Sequence, residues 1–341
     1  MSQSVSGKNI RKVKWGIIGT ANIARNAIVP ALQSSPWCEV HAVASRNADK
    51  ATAFADEFGI PVSYGSYEEL LDDAEVEAVY IPLPNHLHLK YTLMAADKGK
   101  HVLCEKPITM NASEAGQLQQ IPSDIIVAEA FMVRHHPQWH QLRQLIQSGD
   151  HGQVKTVQML FSINLTKYDD FRFKPEFGGG AIYDLGCYTT MSARYLFEQE
   201  PQRVFCSVAR DPKTGVDLTA TAVLDFGGGR QASFTISMEM AASQRLQVVC
   251  DKTLISLSAP YIPTANCPAR IQISQTGDLT QMSMQDLEVT QAAQYECEVS
   301  NFAMAVRGEQ PLDFGVDDAI KQMRVLDALF AAAESECWQA V

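Results

Sequence analysis

The chain has 341 residues, 28 Lys+Arg against 39 Asp+Glu, and a formal charge of −11. Apolar residues make up 46% and charged residues 20%, which excludes a disordered or collagen-like chain and suggests two domains at roughly 150 residues each. The acidic balance argues against nucleic acid as a partner, because such binders need a basic face to release counterions.

No apolar run approaches the ~20 residues that span a bilayer, so no membrane partner is expected. Residues 1–11 read as a polar flexible tail without a secretory segment, and a cytoplasmic location is expected. The eight cysteines are scattered without a C-x-x-C pair. They read as reduced thiols rather than as disulfides or a zinc site.

Residues 13–18 form a short β-branched run that Gly19 ends, followed by helical spacing over 21–32, which Pro30 should bend or shorten. Strands are expected at 40–44, 78–81, 101–104 and 125–128. Helices are expected at 49–58, closed by Gly59, at 67–71, at 86–98, closed by Gly99, and at 113–119. Strand alternating with helix at this rhythm means parallel strands with crossover helices. Residues 12–128 thus read as a doubly wound α/β dinucleotide-binding domain.

Beyond it the pattern changes. Helices are expected at 136–147 and 181–197, the second after the stop Gly178–Gly180. A strand at 154–165 is joined by 204–208, 218–225, 231–238, 244–250, 254–258 and 271–274. Two helices follow, at 292–306 and 317–334. Successive strands without intervening helices suggest an antiparallel sheet. Residues 129–341 read as an α+β domain for substrate binding and oligomerisation, with the last helix packing back toward the first domain.

The turn after the first strand reads Gly16-Ile17-Ile18-Gly19-Thr20-Ala21-Asn22-Ile23-Ala24. A dinucleotide fingerprint has glycine at the first two marked positions and Gly or Ala at the third. Here Gly19, Ala21 and Ala24 stand there, so Ala21 departs from the pattern, and an ordinary strand-to-helix turn is the other reading. Gly19 to Ile23 are the candidate pyrophosphate residues. At the tip of the second strand no carboxylate is present. Ser45, Arg46 and Lys50 favour the 2′-phosphate of NADP over NAD, the other reading being a solvated helix start. Glu105-Lys106-Pro107 ends a parallel strand, where ligands of such sheets bind. A partly desolvated Lys106 beside a cationic nicotinamide should have a lowered pKa; a surface lysine is the alternative.

His86 and His88, and His135, His136 and His140, lack the central glutamate of a metalloprotease helix and read as no metal site. Cys187 reads as a packed thiol, Gly227–Gly229 as a hairpin turn, and Phe177 and Tyr183 as packing around the cleft.

Six blocks occur in order: G-I-I-G-T-A-N-I-A at 16–24, Y-I-P-L-P-N-H-L-H at 80–88, G-K-H-V-L-C-E-K-P at 99–107, E-A-F-M-V-R-H-H-P-Q at 129–138, F-R-F-K-P-E-F-G-G-G-A-I-Y-D-L-G-C-Y at 171–188 and Q-Y-E-C-E-V at 294–299. From about residue 13 to 334 the chain resembles the glucose–fructose oxidoreductase / inositol dehydrogenase (Gfo/Idh/MocA) family. The resemblance implies a Rossmann domain followed by a largely antiparallel, open-faced sheet through which a homodimer or homotetramer forms. It implies that Lys106 lies beside the reacting carbon and the nicotinamide, with Asp184 in the family's aspartate position. Many members carry a histidine four residues later. This chain has Tyr188, as in the branch with dihydrodiol and xylose dehydrogenases. Tyr188, with an ordinary pKa near ~10, would exchange the proton while Lys106 lowers its pKa. Pro82, Leu83, Asn85 and His86 would line the cofactor's ribose and nicotinamide beside Glu105. Arg172, with Asp184 and Tyr188, would meet the substrate. The implied activity is NADP-dependent hydride transfer with a small polyol, first a sugar. A cyclic diol, or a regulator that binds NADPH without catalysis, are the other readings.

Overall fold

The structure, a computed structural model, describes residues 11–274, 279–280 and 282–341. The expected tail lies outside them except for Arg11. The elements, in chain order, are β1 (Val13–Ile18), α1 (Val29–Ser34), β2 (Cys38–Ala44), α2 (Ala48–Phe58), β3 (Val62–Tyr64), α3 (Tyr67–Asp72), β4 (Ala78–Ile81), α4 (His88–Asp97), β5 (His101–Glu105), α5 (Ala112–Gln117), β6 (Val127–Ala130), α6 (Pro137–Gln147) and β7 (Val154–Asn164). They continue with α7 (Cys187–Phe197), β8 (Arg203–Arg210), β9 (Asp217–Asp225), β10 (Gln231–Ser237), β11 (Glu239–Cys250), β12 (Leu254–Leu257), β13 (Ile271–Ser274), β14 (Gln285–Leu287), α8 (Gln294–Val306), α9 (Val316–Ser335) and β15 (Gln339–Ala340).

Among the described residues the first sheet has six parallel strands in the order β3-β2-β1-β4-β5-β6. Its central strands are buried nearly throughout, as a sheet covered on both faces requires. The crossover helices start on side-chain caps. Asn47 accepts from Lys50 N–H for α2, Ser66 from Glu69 N–H for α3, and Asn111 from Glu114 N–H for α5. Gly59, at φ +65°, closes α2.

Several boundaries differ from expectation. Strand β3 was not foreseen, because three half-buried residues at a sheet edge make no apolar run. Strand β6 starts two residues late, because a Pro122–Ile125 turn, with Ile125 N–H on Pro122 O, holds the start of the expected strand. The first crossover opens with a widened turn, Ala24–Ile28, in which Val29 N–H reaches back to Ala24 O. Pro30, which has no N–H to give, falls in the first turn of α1 immediately after it.

The second sheet has nine strands among the described residues, in the order β14-β13-β12-β11-β7-β10-β9-β8-β15. It is mixed: β10 runs parallel to β7, and the other neighbours are antiparallel. One face packs into a core continuous with that of the first sheet. The other face exposes Thr221, with Phe205 and Val223 half-buried. From the chain's C-terminal part, α8 packs on the first sheet's far side, with Phe302 against Trp15 at 5.3 Å. Helix α9 reaches α5, where Asp327 accepts from Ala112 N–H. No helix among the described residues is long and apolar enough to cross a membrane.

Candidate active site

The carboxyl edge of the first sheet carries a trough. Gly19 ends β1 at φ +112°, and its N–H donates to Ala44 O at 2.8 Å. A Cβ there would be strained and would lie 3.2 Å from Leu83. Thr20, Ala21, Ser45, Arg46, Lys50, Pro82 and Leu83 join Gly19 around a cavity of about 490 Å³. A second cavity, of about 470 Å³, is lined by Ala21, Asn22, Ile23, Pro82, Leu83, Asn85, Glu105, Lys106, Arg172, Asp184 and Tyr188. The two share Ala21 and Pro82–Pro84, so they abut along one line. Such an edge is where open α/β sheets bind ligands. A dinucleotide fits this donor set: a glycine turn free of Cβ at Gly19, a helix start behind it, and Ser45, Arg46 and Lys50 without a carboxylate at the far end.

Tyr67 also lines the far end and was missed from the sequence. Burial raises its pKa and the adjacent Arg46 opposes that shift. In the sequence it marked only the start of a helical turn.

The opposite end brings both sheets' elements together. Lys106 follows β5, and its Nζ donates to Asp184 O and Oδ1, each at 2.9 Å. Arg172 Nε donates to Asp184 Oδ2 at 2.8 Å. Asp184 sits in a widened turn, Ile182–Gly186, leading into α7. That turn is anchored by Asp217 of β9, which accepts from Ile182 N–H at 2.6 Å. Gly180, at φ +115°, lets Asp217 approach: a Cβ would meet its Oδ1 at 2.1 Å. Tyr188, in the first turn of α7, is packed edge-on against Phe131 and Phe161 at 5.4 and 5.8 Å. Its hydroxyl donates to Met132 Sδ at 3.3 Å.

The electrostatics correct two expectations. Burial pulls the Lys106 ammonium down, but Asp184, Cys187 and Glu105 outweigh it, so its pKa is raised rather than lowered. Burial also drives the Tyr188 phenol well above its ordinary value. Lys106 Nζ lies 5.0 Å from the centre of the Tyr188 ring, facing the ring while the hydroxyl meets Met132, so Lys106 is not placed to lower the phenol. Burial alone would push the Asp184 carboxyl up; Lys106 and Arg172 overcome it and hold it well below the usual carboxylate range.

Asn85 lines the cleft and donates from Nδ2 to Gly178 O at 2.8 Å. Glu105 accepts from the Tyr80 hydroxyl. His86 follows Asn85. It lies one residue further round the Asn85–Leu87 turn and stacks on Phe177 at 4.7 Å, outside the cleft lining. Tyr183 donates to Met110 O. Cys187 is buried with its thiol pushed up by burial. His135 meets Asn301 and His140 meets Arg134 O. No group of three metal-ligating side chains occurs among the described residues. The apolar walls (Met132, Phe161, Ile163, Leu185, Ile262) and Asp170 were not foreseen. Of these only Met132 and Leu185 lay inside blocks that the sequence singled out.

Residues 13–124 match the model of the oxidoreductase family, NAD-binding Rossmann fold, and residues 139–256 match the GFO/IDH/MocA C-terminal domain. The chain is 40% identical over 332 residues to an uncharacterized oxidoreductase of Rhizobium meliloti, covering 96% of this chain and 99% of the relative. It is 35% identical over 324 residues to D-xylose 1-dehydrogenase (NADP(+)) 2 of Haloferax volcanii, covering 94% and 97%. The crystal structure of a 3-ketoreductase from Actinomadura kijaniata in complex with NADP and TDP-benzene superposes with a TM-score of 0.87 at 28% identity, covering 94% of this chain and 98% of that one. With both of its halves matched and its trough ending on a lysine–aspartate pair, the chain belongs to the GFO/IDH/MocA family of oxidoreductases.

Proposed function

We propose that this protein is an NADP-dependent oxidoreductase that moves a hydride between the nicotinamide and a CH–OH or carbonyl carbon of a small polyol, first of all a sugar. The observation that carries the reading is the corner made by Lys106, Asp184 and Tyr188 at the end of a trough that starts at Ser45 and Arg46. NADP, when bound, supplies the hydride donor or acceptor. The backbone of Gly19–Ile23 would hold its pyrophosphate, and Ser45, Arg46 and Lys50 its 2′-phosphate.

The chain's own residues then divide the work. Two of the three Lys106 N–H donors are engaged by Asp184, which leaves one for a substrate oxygen. The Tyr188 hydroxyl rests on a thioether, a weak acceptor, so a substrate oxygen would outcompete it. In the reductive direction Tyr188 gives its proton to the nascent alcohol oxygen and is reprotonated from solvent; in the oxidative direction the phenol must first lose its proton to solvent before it can take the alcohol's. Asp184 fixes Lys106 from the second domain, and Arg172 fixes Asp184.

The apolar walls Met132, Phe161 and Ile163 favour, as a second reading, a cyclic diol with little polar surface. A regulator without catalysis would have no use for a proton-donating phenol beside the lysine. We also propose that the exposed face of the second sheet pairs with a second copy. Light scattering tests this, and a monomer mass at micromolar concentration would contradict it.

The deciding assay follows reduced-cofactor absorbance across a panel of sugars and diols, with Lys106→Met and Tyr188→Phe beside the unaltered protein. Loss of turnover in both variants, with NADPH still bound, is the expected result; undiminished turnover in both would refute the reading.

A further inference from the structure

We propose that the cleft selects an uncharged substrate, a free sugar or diol rather than a phosphorylated or nucleotide-linked one, and that Asp170 sets this preference. The inference rests on reading the cleft as the hydride-transfer site. To that reading it adds the substrate's charge and a specificity-determining residue.

Among the described residues lining the cleft, the cations are Lys106 and Arg172, and the carboxyls belong to Glu105, Asp170 and Asp184. Neither cation is free. Lys106 is tied to Asp184. Arg172 stands between two carboxylates: Nε meets Asp184 at 2.8 Å, and Nη1 lies 3.3 and 3.4 Å from the two Asp170 oxygens. Asp170 is itself held in place, because its Oδ1 accepts the Arg172 backbone N–H at 2.9 Å.

The two carboxylates differ in what else they do. The Asp184 side chain is 11% exposed and also anchors Lys106, so it cannot be removed without disturbing the corner. The Asp170 side chain is 31% exposed and touches Arg172 but not Lys106. Its effect is to balance the guanidinium, the group that would otherwise read a phosphate or carboxylate by paired hydrogen bonds. An arriving anion would meet two cations already matched by the Asp170 and Asp184 carboxylates and would have to compete with Asp170 for Arg172. Like-charge juxtaposition of this kind rejects ligands more effectively than weak attraction selects them. The remaining walls, including Met132 and Phe161, offer nothing to an anion but can hold the carbon face of a ring. The fold itself does not impose this choice, since the Actinomadura kijaniata reductase is bound to TDP-benzene.

The test uses the NADPH-loaded protein, so that the 2′-phosphate site is filled. Binding of D-xylose, D-glucose, trans-cyclohexanediol, D-glucose 6-phosphate and TDP-glucose is read from NADPH fluorescence, and turnover is read separately with NADP+. The best neutral compound is expected to bind about 100-fold more tightly than either anionic one. Asp170→Asn keeps the oxygen that caps the Arg172 N–H and should narrow that ratio about tenfold. Adding Arg172→Met should reverse the gain. An anionic sugar that binds the unaltered protein as tightly as the neutral ones would overturn the proposal, as would failure of all five to bind. A ratio untouched by Asp170→Asn would remove Asp170 from it. Binding that follows the predicted order with no turnover of any compound would instead refute the hydride-transfer reading and leave the charge preference standing.

Discussion

Tyr188 and Lys106 meet ring to ammonium, and each group's charge state is set by what surrounds it. The phenol is held neutral by burial, far above its ordinary pKa. A reduction that needs the phenol's proton should therefore keep its rate from neutral pH into the alkaline range and not fall at the ordinary tyrosine pKa near ~10. A pH–rate profile of carbonyl reduction checks this. Tyr188→Phe should lower kcat about 100-fold or more while NADPH binding is retained. Asp184 is a depressed acid between two cations. Its stabilising contribution is fully present above the unfolded-state value near ~3.9 and is lost as pH falls through the lower folded value. Asp184→Asn should cost about 3 kcal/mol at pH 7, and the gap to the unaltered protein should close on acidification. Denaturant titrations across pH measure both ends. Glu129 has the opposite sign. Burial raises it to about 7 while its Oε1 accepts from Ile108 N–H, two residues past Lys106. A raised acid is most favourable to folding when protonated, so its contribution declines as pH rises from the unfolded value toward 7. Glu129→Gln keeps the acceptor and should gain about 1 kcal/mol of stability at pH 8, with the gain absent near pH 4.

At the level of elements, helix α9 braces from behind the helix that carries Tyr188. Asp318 pairs with Arg134 and with Arg194, each at 2.7 Å. One turn on, Gln322 accepts from Arg194 and donates to Cys187 O and Thr190 of α7. Gln322→Leu would remove three buried hydrogen bonds, to Arg194 Nη1, Cys187 O and Thr190, while Arg194 keeps Glu200 and Asp318 and Thr190 keeps Gly186 O. It should cost about 2 kcal/mol and lower kcat with little change in NADPH affinity, which steady-state kinetics and fluorescence titration separate. Most strands of both sheets were legible because apolar runs and turn residues alternate in the sequence; β3, β14 and β15 were not, because each is a two- or three-residue edge strand that buries no run. The widened turns at Ala24–Ile28 and Ile182–Gly186 were invisible for a different reason. They satisfy a helical apolar pattern, and only the hydrogen-bond register, set by Pro30 and by Asp217, distinguishes them. The candidate site divides in the same way. Lys106, Asp184, Asn85 and Arg172 were readable as motif positions. Asp170, Tyr67 and the apolar walls became visible only when loops distant in sequence converged.

Across the whole molecule, the cleft is closed by contacts between the two sheets' elements: Lys106 to Asp184, Asn85 to Gly178 O and Tyr183 to Met110 O. The second domain therefore completes a site that the first sheet only begins, and a trough lined by the first joins a corner built by both. The most direct test is a crystal structure with NADP bound. The account predicts the 2′-phosphate against Ser45 and Arg46, and the nicotinamide ring within about 4 Å of both Lys106 Nζ and the Tyr188 hydroxyl. A nicotinamide lying elsewhere, with Lys106 turned to bulk water away from Tyr188, would contradict it.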